Sequence, residues 1–199
     1  INNIMSTLKV STIAPLGTDA TKTITVGASG DTFTVTDGVT VSGAGSNTPA
    51  FYAYKTSDQS VSNDTTTKIT FDATLFDSSG GFSLTDNKFT VPTGGAGKYQ
   101  INTNFFLNDS SGDLFRVDNR IYKNGNMVFN SLMYKDNNAD SFKFFSSPVT
   151  QYMDLAVGDY LELYLYAETN DSGAITVQSN TADGEGKWNF ISGQRVIGA

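Results

Sequence analysis

Leu161-Glu162-Leu163-Tyr164-Leu165-Tyr166 is the stretch on which the fold class turns. Successive side chains of an extended strand point to opposite faces. Leu161, Leu163 and Leu165 therefore share one face, and Glu162, Tyr164 and Tyr166 share the other. The leucine face belongs in a core. The opposite face carries two tyrosines, more apolar body than a face in water requires. Tyrosine is enriched at interfaces because it joins a large rigid ring to a polar tip. Asn104-Phe105-Phe106 likewise places aromatics on both faces of its strand. The expectation is a sheet whose second face is covered by further copies of the chain.

Working outward, the same strand signal recurs. Strands are expected over Lys68–Phe71, Lys88–Val91, Tyr99–Leu107, Asp113–Lys123, Met127–Tyr134, Phe142–Phe145, Tyr160–Ala167, Ala174–Gln178 and Trp188–Ile197. Clusters of Asp, Asn, Ser and Gly separate them, at 77–81, 108–112, 123–126 and 170–173. Asn124-Gly125 is the strongest of these, because both residues tolerate the positive torsions of a type I′ hairpin turn. Apolar residues nowhere recur at helical spacing over three turns. About eight to ten short strands with turns roughly every 8–12 residues describe an all-β sandwich, and a jelly roll closes one of this size.

Composition changes near Pro49. Residues 1–50 hold a single aromatic, Phe33, and are dominated by Thr, Gly, Val, Ser and Ala. Such a segment cannot bury enough apolar area to offset chain entropy alone. Ile24-Thr25-Val26, Phe33-Thr34-Val35 and Val39-Thr40-Val41 nevertheless alternate, with Gly27, Gly38 and Gly43 close behind. Residues 1–49 are read as an arm or stalk, stable when several chains combine, and 43–49 as the hinge into a domain spanning 50–199.

The 199 residues carry 13 Lys+Arg against 20 Asp+Glu, a net charge of −7, which argues against a nucleic-acid partner. His and Cys are both absent, which excludes Ser-His-Asp and Cys-His catalysis, zinc sites and disulfides. No run approaches the roughly 18–20 apolar residues of a membrane span. No charged segment followed by an apolar run opens the sequence, and Met5-Ser6-Thr7-Leu8 reads as a natural start.

Carboxylate catalysis needs two acids across a bond, but most of the acids sit in turns beside Asn, Ser or Gly, and only Glu162, Glu168 and Glu185 are Glu. Calcium is the better ionic candidate. Asp109, Ser111 and Asp113 are spaced i, i+2, i+4, as are Asp136, Asn138 and Asp140. Arg120 and Ser147 stand where an EF-hand places its Glu, and polar hairpin tips account for the same spacing. Gly94-Gly95-Ala96-Gly97 precedes a strand and lacks the Lys-Ser/Thr of a phosphate loop. Arg116, Arg120 and Lys123 read as scattered over one hairpin. The lone Trp188 has a ring that can stack on a sugar, although Trp in a closing strand is more often core or interface.

With the strands laid out, the landmarks resemble the complement C1q globular-head family, relatives of the tumour necrosis factor jelly roll. Ala50-Phe51-Tyr52-Ala53 resembles its opening strand, and Phe89-Thr90-Val91-Pro92 with Gly97-Lys98-Tyr99-Gln100-Ile101 its Phe-x-x-Pro…Gly-x-Tyr-x-Phe signature. Leu155 to Leu163 resembles the Leu-x-x-Gly-Asp-x-Val-x-Leu strand, and Phe190 to Ile197 the closing strand. The link Thr93–Ala96 is about two residues longer than the family pattern, which leaves the shape of that corner open. The resemblance implies a C1q/TNF-like jelly-roll sandwich over 50–199 and a homotrimer, with no catalytic residues to carry over.

The first 50 residues are similar to predicted fibre and structural proteins of marine tailed phages. Together the two resemblances imply a non-enzymatic virion structural protein, a capsid decoration, head fibre or tail-fibre tip on the particle surface. Trimer contacts are expected at Phe105, Tyr164, Tyr166 and Tyr99, and particle attachment at Leu8, Val10 and Ile13. Expected partners are further copies, capsid or tail proteins and a host surface glycan or protein, with no cofactor other than a candidate calcium ion. The alternative is a secreted or cell-surface carbohydrate- or protein-binding module of a bacterium. A glycan-cleaving tailspike would require a groove with paired carboxylates.

Overall fold

The computed structural model describes residues 47–135, 142–179 and 187–196. Residues 1–46 of the expected arm, with Leu8, Val10 and Ile13, lie outside them, as do Asp136 and Asp140. Among the described residues the regular structure is all strand. In chain order the strands are β1 (Ala50–Tyr54), β2 (Gln59–Val61), β3 (Thr67–Lys68), β4 (Ala73–Asp77), β5 (Phe82–Ser83), β6 (Lys88–Thr90), β7 (Gly97–Asn104), β8 (Phe106–Asn108), β9 (Leu114–Lys123) and β10 (Asn126–Tyr134). There follow β11 (Phe144–Ser146), β12 (Val149–Leu155), β13 (Tyr160–Thr169), β14 (Ile175–Val177) and β15 (Phe190–Arg195).

One sheet runs β12-β7-β15-β1-β4. A second runs β10-β9-β13-β6-β5, with β3 also on β13, and a smaller third runs β11-β8-β14-β2. Every pairing between these strands is antiparallel. The core lies between the first two sheets. Phe51 of β1 stacks on Phe89 of β6 with ring centroids 4.1 Å apart, and Phe89 meets Tyr99 of β7 at 5.9 Å. Leu161, Leu163 and Leu165 are fully buried there, as their alternation demands. Val61, Leu107, Ile175 and Val177 of the third sheet join the same core.

Local chemistry fixes the register. Asn124 (φ 53°) and Gly125 (φ 77°) form the expected positive-torsion turn, which pairs Lys123 with Asn126. Gly158 (φ 84°) turns the chain into β13, and Asp159 closes that turn by accepting from the Ala156 amide at 2.9 Å. The expected single strand Tyr99–Leu107 is divided at Phe105, where the chain passes from the first sheet to the third. Asn189 covers the break, its Oδ1 accepting from the Phe106 amide at 2.7 Å. Sequence reasoning from pattern passed over β4 and β12, both partly exposed strands of mixed polarity. The domain opens and closes on paired strands: Ala50 faces Gln194, and the Arg195 amide donates to the Pro49 carbonyl at 3.0 Å.

Candidate functional site

The first sheet carries a cluster of aromatic rings on its outer face. On β1, alternation sends Phe51 and Ala53 into the core and turns Tyr52 and Tyr54 outward. Tyr54 pairs with Phe190 and Tyr52 with Phe76. Tyr52 is the hub of a ring cluster. Phe190 stacks on it at 5.0 Å, with Phe76 at 6.2 Å and Tyr54 at 6.3 Å. Phe76 remains 48% exposed. Burial among these rings pushes the Tyr52 hydroxyl pKa up. The Lys187 ammonium lies 5.3 Å from the centre of the Tyr54 ring.

Across β15 the character of this face changes. Gln194 pairs with Gln100, and Ser192 with Asn102, so amides replace rings. Asn102 Oδ1 accepts from the Thr150 hydroxyl at 2.9 Å, and beyond it Tyr152 on β12 stands 61% exposed. The face thus has an aromatic half on β4, β1 and the start of β15, and an amide-bearing polar half on the end of β15 and on β7, with Thr150 and Tyr152 of β12 at its edge. Single exposed apolar residues need no explanation, whereas these rings form a contiguous cluster.

The tyrosines expected at the interface have other surroundings. Tyr164 and Tyr166 do face away from the leucine core, on the outer side of the second sheet. Tyr166, however, lies between two guanidiniums, Arg116 at 4.7 Å and Arg120 at 4.5 Å from the ring centre. Its hydroxyl donates to the carboxylates of Asp64 and Glu168, which hold its proton on and push its pKa well up. Between the arginines, fully buried Asp118 accepts from Arg120 at 2.6 Å and Arg116 at 3.2 Å. Tyr164 leans on Tyr122 at 4.3 Å, beside the Lys68–Glu162 pair at 2.6 Å. The chain covers these rings with its own charged side chains.

Two residues need correction. Tyr99 and Phe105 were expected at the trimer contact, but both are fully buried in the core of the single chain. The alternation of β7 points Tyr99, Ile101 and Thr103 inward, and Phe105 continues that row. Tyr99 closes its own corner, its hydroxyl donating to the Gly95 carbonyl at 2.6 Å. The residues that the pattern missed are Tyr52, Tyr54, Phe76 and Phe190. The sequence carried a signal for the first two, since Phe51-Tyr52-Ala53-Tyr54 is apolar on both faces of its strand.

Asp109 and Asp113 sit in the turn that carries the chain from β8 to β9, and its backbone explains their spacing. Asp109 is buried, and its carboxylate accepts from the Ser111 hydroxyl at 2.9 Å and from the Asp113 amide. Its oxygens serve the loop. Among the described residues no group of three or more acidic side chains is placed to hold a metal ion. No helix there is long and apolar enough to cross a membrane. An open cleft of about 380 Å³ lies beside Pro49 and Pro92, where Arg195 donates to the Gly94 carbonyl at 2.9 Å.

Comparison with solved structures supplies the name of the architecture. Murine APRIL superimposes with a TM-score of 0.52 at 12% identity, covering 74% of this chain and 98% of that one. The Eiger TNF of S. frugiperda does so with 0.53 at 13% identity, over 75% and 93%. The fold is a C1q/TNF-like jelly roll. The globular domain of zebrafish complement C1qA also aligns, at a TM-score of 0.48 and 12% identity over 74% and 97%. No family model matches the sequence, and no curated protein does.

Proposed function

We propose that the chain is a non-enzymatic homotrimeric head, joined through the outer face of its first sheet and displayed on the surface of a virus particle. The observation that carries the trimer is the ring cluster around Tyr52, beside a separate amide half on the same face. Two unlike patches favour a head-to-tail contact, aromatic half against amide half. Such a contact closes into a ring when the rotation per subunit fits. The motifs that resemble the C1q/TNF family imply three copies in that ring. The absence of His and Cys, and the turn and ion-pair roles of the acids described above, support a structural rather than chemical task.

The virion role rests on the sequence. A Thr/Gly-rich segment, a net charge of −7 and the lack of cysteine suit an exposed particle protein held by its core and its copies. The segment 1–49 would tether the head to a capsid or tail protein. Light scattering of the full chain tests the assembly: three times 21.3 kDa supports it, and a clean 21.3 kDa species at micromolar concentration sinks it. Antibody labelling of purified particles, followed by imaging, tests the location.

A further inference from the structure

We propose that Asn124-Gly125 is a latent modification site, a point of spontaneous deamidation that Asp159 and Tyr160 hold closed. It is the only Asn-Gly pair in the sequence, and both residues are exposed at the tip of the β9–β10 hairpin. The chemistry is intrinsic to the pair. The Gly125 amide nitrogen, giving up its proton to water, attacks Cγ of the Asn124 side chain and closes a five-membered imide. Nδ2 departs with a proton as ammonia. Water then opens the imide at either carbonyl and leaves aspartate or isoaspartate, so one ammonia is lost and one water consumed. Glycine favours the step because no Cβ obstructs the attacking nitrogen.

Ring closure needs the reacting atoms in a near-attack arrangement. The Asn124 side chain must be free to swing its Cγ onto the Gly125 nitrogen. Both of its polar atoms are instead engaged at the start of β13. Oδ1 accepts from the Tyr160 amide at 2.9 Å, and Nδ2 donates to Asp159 Oδ1 at 2.7 Å. The Asn124 amide donates to the Tyr160 carbonyl at 3.0 Å, so backbone and side chain are pinned to neighbouring residues. The clamp is itself anchored. Asp159 Oδ2 accepts from Lys123 Nζ at 2.7 Å and from the Ala156 amide at 2.9 Å. Attack on Cγ therefore has to break two side-chain bonds, one of them to a charged oxygen.

The products explain why the clamp matters. Aspartate at 124 sets a second carboxylate against Asp159. Isoaspartate adds a backbone carbon to a two-residue turn that pairs Lys123 with Asn126. Either one converts a passing opening of the hairpin into a lasting mark. The inference uses neither the ring cluster around Tyr52 nor the assembly.

The test follows the mass gain of amide-to-acid conversion in the peptide that contains residue 124, with isoaspartate detected enzymatically. The full chain is incubated in warm, mildly alkaline buffer, with and without concentrated urea. Expected is a folded rate about tenfold or more below the rate in urea. Asp159→Ala should recover most of that difference without urea. Asp159→Asn loses the same charge but keeps an acceptor oxygen for Asn124 Nδ2, and should stay near the parent rate. A parent that reacts as fast folded as in urea overturns the clamp. So does a parent-like rate in folded Asp159→Ala, or equal acceleration by both variants, which would mark general loosening. If Asp159→Ala does not fold, the parent-against-urea ratio and the Asp159→Asn rate decide: a small ratio or a fast asparagine variant sinks the proposal.

Discussion

Two sheet faces of this molecule carry outward tyrosines, and they have opposite fates. On the second sheet, Tyr166 is enclosed by Arg116, Arg120, Asp64 and Glu168, and buried Asp118 fixes the arginines. On the first sheet, Tyr52 is packed among the rings of Tyr54, Phe76 and Phe190, and the cluster ends in Phe76, nearly half exposed. The first arrangement is complete in one chain, while the second still has apolar surface to cover. The difference shows that the count of tyrosines on a face does not decide how much apolar surface it leaves open. What decides is whether charged neighbours from adjacent strands reach over the rings.

The contrast can be broken most severely at the open face. Changing Tyr52→Glu together with Phe190→Glu should leave the fold intact and reduce a trimer to a 21.3 kDa species in light scattering, because two carboxylates would be forced into the contact. The matching attack on the closed face is Asp118→Ala. It leaves two arginines facing each other and should lower stability by about 3 kcal/mol in urea denaturation, without changing the subunit count once folded.

Smaller effects sharpen the picture. Lys123 at 2.7 Å, then the Asn124 amide and the Ala156 N–H, hold the Asp159 carboxyl at a pKa of about 2, below its usual range. A carboxylate whose folded pKa is depressed stabilises the fold above its unfolded pKa, near 4, and that contribution fades as pH falls through about 2. Asp159→Asn should therefore cost about 1 kcal/mol at pH 7, with the gap to the parent closing between pH 4 and 2 in denaturation curves. Least of all, Tyr166→Phe removes a hydroxyl from a solvent-reachable network. It should cost about 1 kcal/mol or less by thermal unfolding and leave the assembly mass unchanged.

The sandwich was legible because its signals are local. Leucines at alternate positions and an Asn-Gly pair each act within a few residues, and both appear as read. The faces were harder. Arg116 and Arg120 read as scattered along one hairpin, yet strand pairing brings them to a ring some fifty positions away. Tyr99 and Phe105 looked like surface aromatics, but the inward side of β7 is set by its neighbours β12 and β15, which the local pattern does not reveal. The strands β4 and β12 escaped notice because their exposed, mixed residues form no clean alternation. The aromatic face around Tyr52 depends on all of these pairings at once.

The clasp between Pro49 and Arg195 bears on how such a head can be carried. Entry and exit of the sandwich lie one hydrogen bond apart, so the unit can be spliced into a surface loop of another protein, or have its ends joined and be reopened at Asn124-Gly125, without dividing a sheet. A module with that property is portable between unrelated scaffolds.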